Sequence, residues 1–163
     1  MRFLIAFSVF FLVSCWQPSQ SDPIFEARTA IVYDGDSFLV KRGRNEIEVR
    51  LYGIDAPEKG QSWSAEAHKG LSKLIAGKML RVEAVERDRY DRLVARVYRV
   101  SDNLYINAEM ISQGHAWVYR RYTDEKRLLQ PEKAARRKGI GLWRLPVKQR
   151  IPPWQWREEH PQS

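Results

Sequence analysis

The feature that most constrains this chain is the order of its short β-prone segments, three before a single amphipathic stretch and two after it. Residues 27–33 are β-prone and stop at Asp34-Gly35, a pair suited to a tight reversal. Residues 37–41 supply the return strand, and Arg42-Gly43-Arg44-Asn45 forms a second turn. From Glu46 to Tyr52 the pattern alternates, with Ile47, Val49 and Leu51 on one face and Arg50 on the other. Residues 62–76 set Trp63, Ala67, Leu71, Leu74 and Ile75 at helical spacing and close at Gly77. Residues 79–86 and 92–100 read as two more strands around a charged turn. A short helix over 107–112 stops at Gly114. A last one covers roughly 126–138, where Pro131 either kinks it or marks its true start. This order predicts an α+β fold, mainly β: a five-stranded OB-fold barrel with about three α-helices. Other small α+β barrels share the order.

Apolar residues at 44% and charged residues at 29% exclude a disordered polymer, a collagen-like fibre and a multi-span membrane protein. The single cysteine excludes a disulfide scaffold and a cysteine-rich zinc module, and His68, His115 and His160 have no metal-ligand spacing. Residues 3–13 are apolar except for Ser8. That run is short of the ~20 residues that span a bilayer and reads as a signal-peptide core. It ends in Leu12-Val13-Ser14-Cys15, which resembles the bacterial lipoprotein processing box, so Cys15 is the expected lipidated N-terminus. An ordinary secretory signal is the alternative. The expected organisation is a signal peptide over 1–14, a tether over 15–24, a folded domain over 25–145 and a basic Trp/Pro-rich tail over 146–163. Trp16 after the cysteine, by resemblance to Gram-negative lipoproteins, favours the outer membrane; without lipidation the product would be periplasmic or secreted. The formal charge of +8 favours a polyanionic partner, and nearly all of the surplus lies after residue 112.

Three segments carry chemistry. Asp34-Gly35-Asp36-Ser37 offers hard oxygen ligands suited to Ca²⁺ or Mg²⁺, although alone it fits a hairpin turn with both acids facing solvent. In Arg50-Leu51-Tyr52-Gly53-Ile54-Asp55-Ala56-Pro57-Glu58 an arginine and two acids converge where a strand ends; a surface salt-bridge cluster would have the same look. The run from Glu86 to Arg92 suits a solvated hairpin tip, yet Arg92 starts the next strand and Tyr90 offers a ring for stacking.

With Asp88-Arg89-Tyr90-Asp91-Arg92, the 113–122 run Gln-Gly-His-Ala-Trp-Val-Tyr-Arg-Arg-Tyr and Gly141-Leu142-Trp143, these segments resemble the thermonuclease (staphylococcal-nuclease-like) family over roughly residues 28–143. The tail Pro152-Pro153-Trp154-Gln155-Trp156-Arg157 also looks like its Gram-negative members. The resemblance implies a phosphodiesterase on an OB barrel with one Ca²⁺ ion. By family role, Asp36, Asp55 and the backbone carbonyl of Ala56 bind the metal, and Glu58 orients or deprotonates the attacking water. Arg50 and Arg92 grip the phosphate, and Arg89, Tyr90, Tyr119 and Tyr122 contact the nucleotide. DNA and RNA are the implied substrates, cut with low sequence specificity to leave 3′-phosphate ends. A monomer is expected, touching membrane only through Cys15.

The residue types suit the reaction. Phosphodiesters repel nucleophiles, and paired cations offset that repulsion where charge develops. The planar fork of arginine matches phosphate as lysine does not. Ser37 and Ala56 stand where the family often has threonine, and Asp91 where it often has glycine, a position aspartate tolerates if φ is positive. The basic C-terminal third suits a sequence-independent phosphate grip. Its tryptophans, Trp117, Trp143, Trp154 and Trp156, are expected mostly to pack, with Trp143 in the core; His115 is given no catalytic part. Two other readings compete: a non-catalytic OB-fold lipoprotein that binds polyanions, and an envelope structural protein. The full set of acids speaks against the first, since binding alone would not need them.

Overall fold

The computed structural model describes residues 23–161. The signal-peptide and Cys15 lipidation readings therefore fall outside the described residues. The first hairpin joins β1 (Ile24–Val32) to β2 (Ser37–Arg42), and a second joins β2 to β3 (Asn45–Leu51). After a two-residue strand β4 (Ile54–Asp55) comes helix α1 (Ser64–Ile75). Strands β5 (Met79–Arg87) and β6 (Leu93–Arg99) then pair antiparallel, and β5 returns alongside β1. A short parallel seam between β3 and β6, with Val49 opposite Leu93, Arg50 opposite Val94 and Leu51 opposite Ala95, closes the five strands into a barrel. The α+β, mainly β, OB-type architecture is as the strand order predicts.

Alternation explains the barrel's interior. Val49 and Leu51 of β3, Leu80 and Val82 of β5 and Ala95 and Val97 of β6 are buried, as are Phe38 and Val40 of β2. Each large apolar side chain so removed from water contributes roughly 1.5–3 kcal/mol. Helix α1 lays Ala67, Leu71, Leu74 and Ile75 against this core, while Trp63 precedes its first turn with φ of 75°.

The remaining elements are β7 (Leu104–Tyr105), α2 (Ile106–Ser112), β8 (Trp117–Val118), α3 (Lys126–Lys138) and α4 (Pro153–Glu159). Helix α3 begins at Lys126 and continues past Pro131, so the proline is interior rather than its start. Buried Asn107 of α2 accepts from the Val97 N–H at 3.0 Å and donates to the Tyr52 and Ala95 carbonyls, fastening α2 to the seam. Glu132 of α3 is buried too; it accepts from the Val118 N–H at 3.1 Å and pairs with Arg120 and Arg136. Trp143 and Trp117 are both buried and meet edge-to-face, as packing tryptophans should.

Candidate active site

Three pieces of backbone bring the singled-out side chains together. The first is the β1–β2 turn. Asp34 Oδ1 accepts the N–H groups of Asp36 at 2.8 Å and Ser37 at 2.7 Å, which fixes the reversal. Gly35 lies so close to α1 that a Cβ there would stand 2.7 Å from the Cβ atoms of both Ala56 and Ala67. The turn therefore seats Asp36 in the protein, at 3% exposure, rather than facing solvent. Burial and the charge of Asp36 push the Asp34 carboxyl up to about 6, against the pull of its two backbone donors.

The second piece is the loop leaving β3. Gly53 turns the chain with φ of 73°, and the residues after it pair as β4 with β8, Asp55 opposite Trp117. Asp55 is left with no exposed surface. Arg50, from the seam strand, spans the two acids, donating to Asp36 Oδ1 at 2.9 Å and to Asp55 Oδ1 at 2.7 Å. Burial opposes its charge, but Asp36 and Asp55 together hold it above the ordinary arginine value. Ala56 donates its N–H to Asp36 Oδ2 at 2.8 Å, and the Glu58 N–H bonds Gln61 Oε1 at 2.9 Å.

The third piece is the β5–β6 turn. Asp91 has φ of 63° there, in the left-handed region that aspartate tolerates. Asp88 holds Arg92 through Nε at 2.8 Å and Nη2 at 2.7 Å. Hydrogen bonds from Arg92 and the Tyr90 N–H outweigh desolvation and keep the Asp88 carboxyl below its ordinary value. Arg92 Nη1 reaches Ser37 Oγ at 3.3 Å, and that hydroxyl donates to Asp36 Oδ1 at 2.8 Å. Ser37 thus links Arg92 to Asp36, a carboxylate partner of Arg50. Tyr90 is exposed, its ring flanked by Arg89 and Arg92 and its hydroxyl accepting from Arg89 at 2.7 Å.

One participant was not singled out in the sequence. Arg157 of α4 donates to Asp55 Oδ1 at 3.2 Å and Oδ2 at 2.8 Å, and its Nη1 also bonds Glu58 Oε1. Burial pushes the Asp55 carboxyl up, and these hydrogen bonds and the charge of Arg50 pull against it. The only sequence signal was a Pro-Pro start followed by two tryptophans, a helix with aromatic anchors, in a segment otherwise read as a tail.

The aromatic candidates Tyr119 and Tyr122 meet edge-to-face, and Trp154 of α4 lies flat on Tyr119 with ring centroids 5.1 Å apart. Beside α4 runs a groove of about 670 Å³, bordered by Arg120, Arg121, Arg136, Arg150, Tyr119 and Trp154 among others.

Among the described residues no group of three or more His, Cys, Asp or Glu is placed to hold a metal ion. The donor chemistry nevertheless fits a hard cation, since two buried carboxylates and the Glu58 carboxylate converge there, linked by Arg50 and Arg157. Waters and backbone carbonyls commonly complete such a shell.

A family model described as staphylococcal nuclease homologue matches residues 48–145. An uncharacterized endonuclease of Haemophilus influenzae is 41% identical over 81% of this chain and 72% of its own length. A micrococcal nuclease of Shigella flexneri is 36% identical over 94% of this chain and 90% of its own. An uncharacterized endonuclease of Escherichia coli O157:H7 is 37% identical over 80% and 83%.

Proposed function

The chain belongs to the staphylococcal nuclease homologues, and on that premise we propose that it is a calcium-dependent phosphodiesterase that cuts DNA and RNA with low sequence specificity and leaves 3′-phosphate ends. The observation that carries this reading is the convergence of Asp36, Arg50, Asp55 and Glu58, with Arg92 tied in through Ser37. A mere polyanion binder has no use for buried acids at the centre of its basic surface.

Asp36, Asp55 and the Ala56 carbonyl would hold the ion. When bound, it supplies positive charge beside the phosphoryl oxygens and an ordering centre for water. Arg50 is kept charged and rigid by its two carboxylate partners, and so presents a preorganised donor where negative charge grows. Arg92, clamped on Asp88, offers its remaining N–H groups to the same phosphate. Glu58 orients the attacking water and takes its proton. Arg89, Tyr90, Tyr119 and Tyr122 contact sugar and base, and the arginine-lined groove beside α4 carries the continuing strand.

Export and anchoring through Cys15 belong to the same proposal and rest on residues 3–15. Loss of membrane fractionation in Cys15→Ala would support the anchor. Activity is tested with supercoiled plasmid and single-stranded RNA in Ca²⁺, Mg²⁺ or chelator. The expected result is calcium-dependent cutting of both, lowered on the order of 10² or more by Glu58→Gln or Arg92→Lys. Tight binding without cutting under every metal would overturn the reading and leave a non-catalytic polyanion binder.

A further inference from the structure

An ionised carboxylate has about four lone-pair sites. On Asp55 three are occupied by guanidinium N–H groups, one from Arg50 and two from Arg157. Arg157 Nη1 simultaneously bonds Glu58, so one guanidinium bridges an acid assigned to the metal and the acid assigned to water. A divalent cation on Asp55 would meet that positive group at hydrogen-bond distance from the same oxygens. Arg50 bonds only Oδ1 and leaves Asp55 Oδ2 open, whereas Arg157 takes Oδ2; the ion and Arg157 therefore contend for that oxygen, because like charges at such separation repel strongly where solvent is scarce.

Helix α4 is built to yield. It has seven residues, of which only Pro153 is buried. It is docked by the Trp154–Tyr119 stack, by packing of Trp154 against the Trp117/Trp143 cluster and by the Arg157 pairs, with the bond from Gln61 Nε2 to the Ile151 carbonyl at 2.5 Å just ahead of it. The Arg157 side chain is 40% exposed, so water screens its pairing and can receive it on release.

We propose that Arg157 competes with the divalent cation for Asp55 and Glu58, and that its docking sets how tightly the site takes a metal. The idea rests on the cation reading of Asp36 and Asp55. Because coupling is reciprocal, metal binding loosens α4 by the same factor that α4 weakens metal binding.

The test is calorimetric titration of CaCl₂ into the full-length wild type, Arg157→Ala, Arg157→Lys and, as a control on the exposed side of α4, Glu159→Gln. Arg157→Ala is expected to bind about tenfold tighter, within the usual range for coupled sites. Arg157→Lys, which keeps the charge, stays nearer wild type, and Glu159→Gln matches it. In the wild type calcium also changes the tryptophan emission, because Trp154 leaves Tyr119. Unchanged or weaker binding by Arg157→Ala overturns the proposal, and so does a lysine variant that tracks alanine, since packing would then explain the effect. Absence of calcium binding in all four proteins overturns the cation reading, and the competition with it. Plasmid cutting by the wild type in the same buffer judges the nuclease reading separately.

Discussion

Substituting Gly35 by alanine tests whether the metal-proposed turn is held by helix α1. No positive φ is needed at this glycine, so alanine meets no backbone penalty there; the cost is steric alone. The new Cβ would stand 2.7 Å from the Cβ atoms of Ala56 and Ala67. Carbon pairs prefer about 3.5–4.0 Å, so each contact demands a retreat of roughly 1 Å. Both neighbours are Cβ atoms fixed to backbone, and neither can rotate away. Overpacking of this kind costs about 1–3 kcal/mol, and two rigid contacts place Gly35→Ala in the upper half. For a domain of this length that corresponds to a fall in Tm of about 4–12 °C. Thermal and urea unfolding followed by circular dichroism measure it. Adding Ala67→Gly removes one of the two contacts, so a double-mutant cycle should return a favourable coupling of at least about 0.5 kcal/mol. The retreat also shifts Asp36, so calcium affinity should fall with stability. A variant as stable as wild type, or a cycle with no coupling, would refute the claim that α1 seats the turn.

Ser37→Ala removes the hydroxyl between Arg92 and Asp36; a lost hydrogen bond of about 1 kcal/mol predicts a comparable loss of stability and, if it also positions Arg92 in the transition state, a roughly fivefold loss in kcat, and an unchanged rate would remove Ser37 from the mechanism. Replacing Arg121 and Arg150, both on the groove, with alanine should lower the slope of log affinity against log salt by about 0.7–0.9 per lost phosphate contact. The same slope in variant and wild type would place the strand elsewhere. Burial lowers the pKa of His115, whose Nδ1 accepts from the Trp63 indole at 3.3 Å. The unfolded chain therefore binds this proton first as pH falls through about 6.5, so folding stability declines below that value and is intact above it. His115→Gln should flatten the decline in urea midpoint between pH 7 and 5.

Much of the barrel was legible because its strands alternate and its turns are marked. Asp34-Gly35, the Ile47/Val49/Leu51 face and the Ala67/Leu71/Ile75 stripe each name an element that the structure contains. Asp91 was legible too, as a residue able to take a positive φ. Two-residue strands were not, since Ile54–Asp55 and Trp117–Val118 are too short to show a period, yet their pairing is what buries Asp55. Alone, Asp34-Gly35-Asp36 suggested solvent-facing acids; the depth of Asp36 depends on α1, whose distance from the turn no local pattern records. Arg157 was hidden for a similar reason. Its partners lie about a hundred positions earlier in the chain, and tertiary contacts such as the docking of Trp154 on Tyr119 bring them together.

The parallel seam has a consequence in time. Its paired residues are forty-four positions apart, and on one side it carries Arg50 while Arg92 stands just ahead of the other. Contacts so distant in sequence must overcome the entropy of closing the intervening loop before they return anything. A chain that has formed its first two hairpins holds Asp36 and Arg50 but has no second arginine facing them. On the proposed nuclease reading, catalytic competence would therefore arrive with barrel closure, and a growing or partly unfolded chain would be chemically silent toward any nucleic acid it meets.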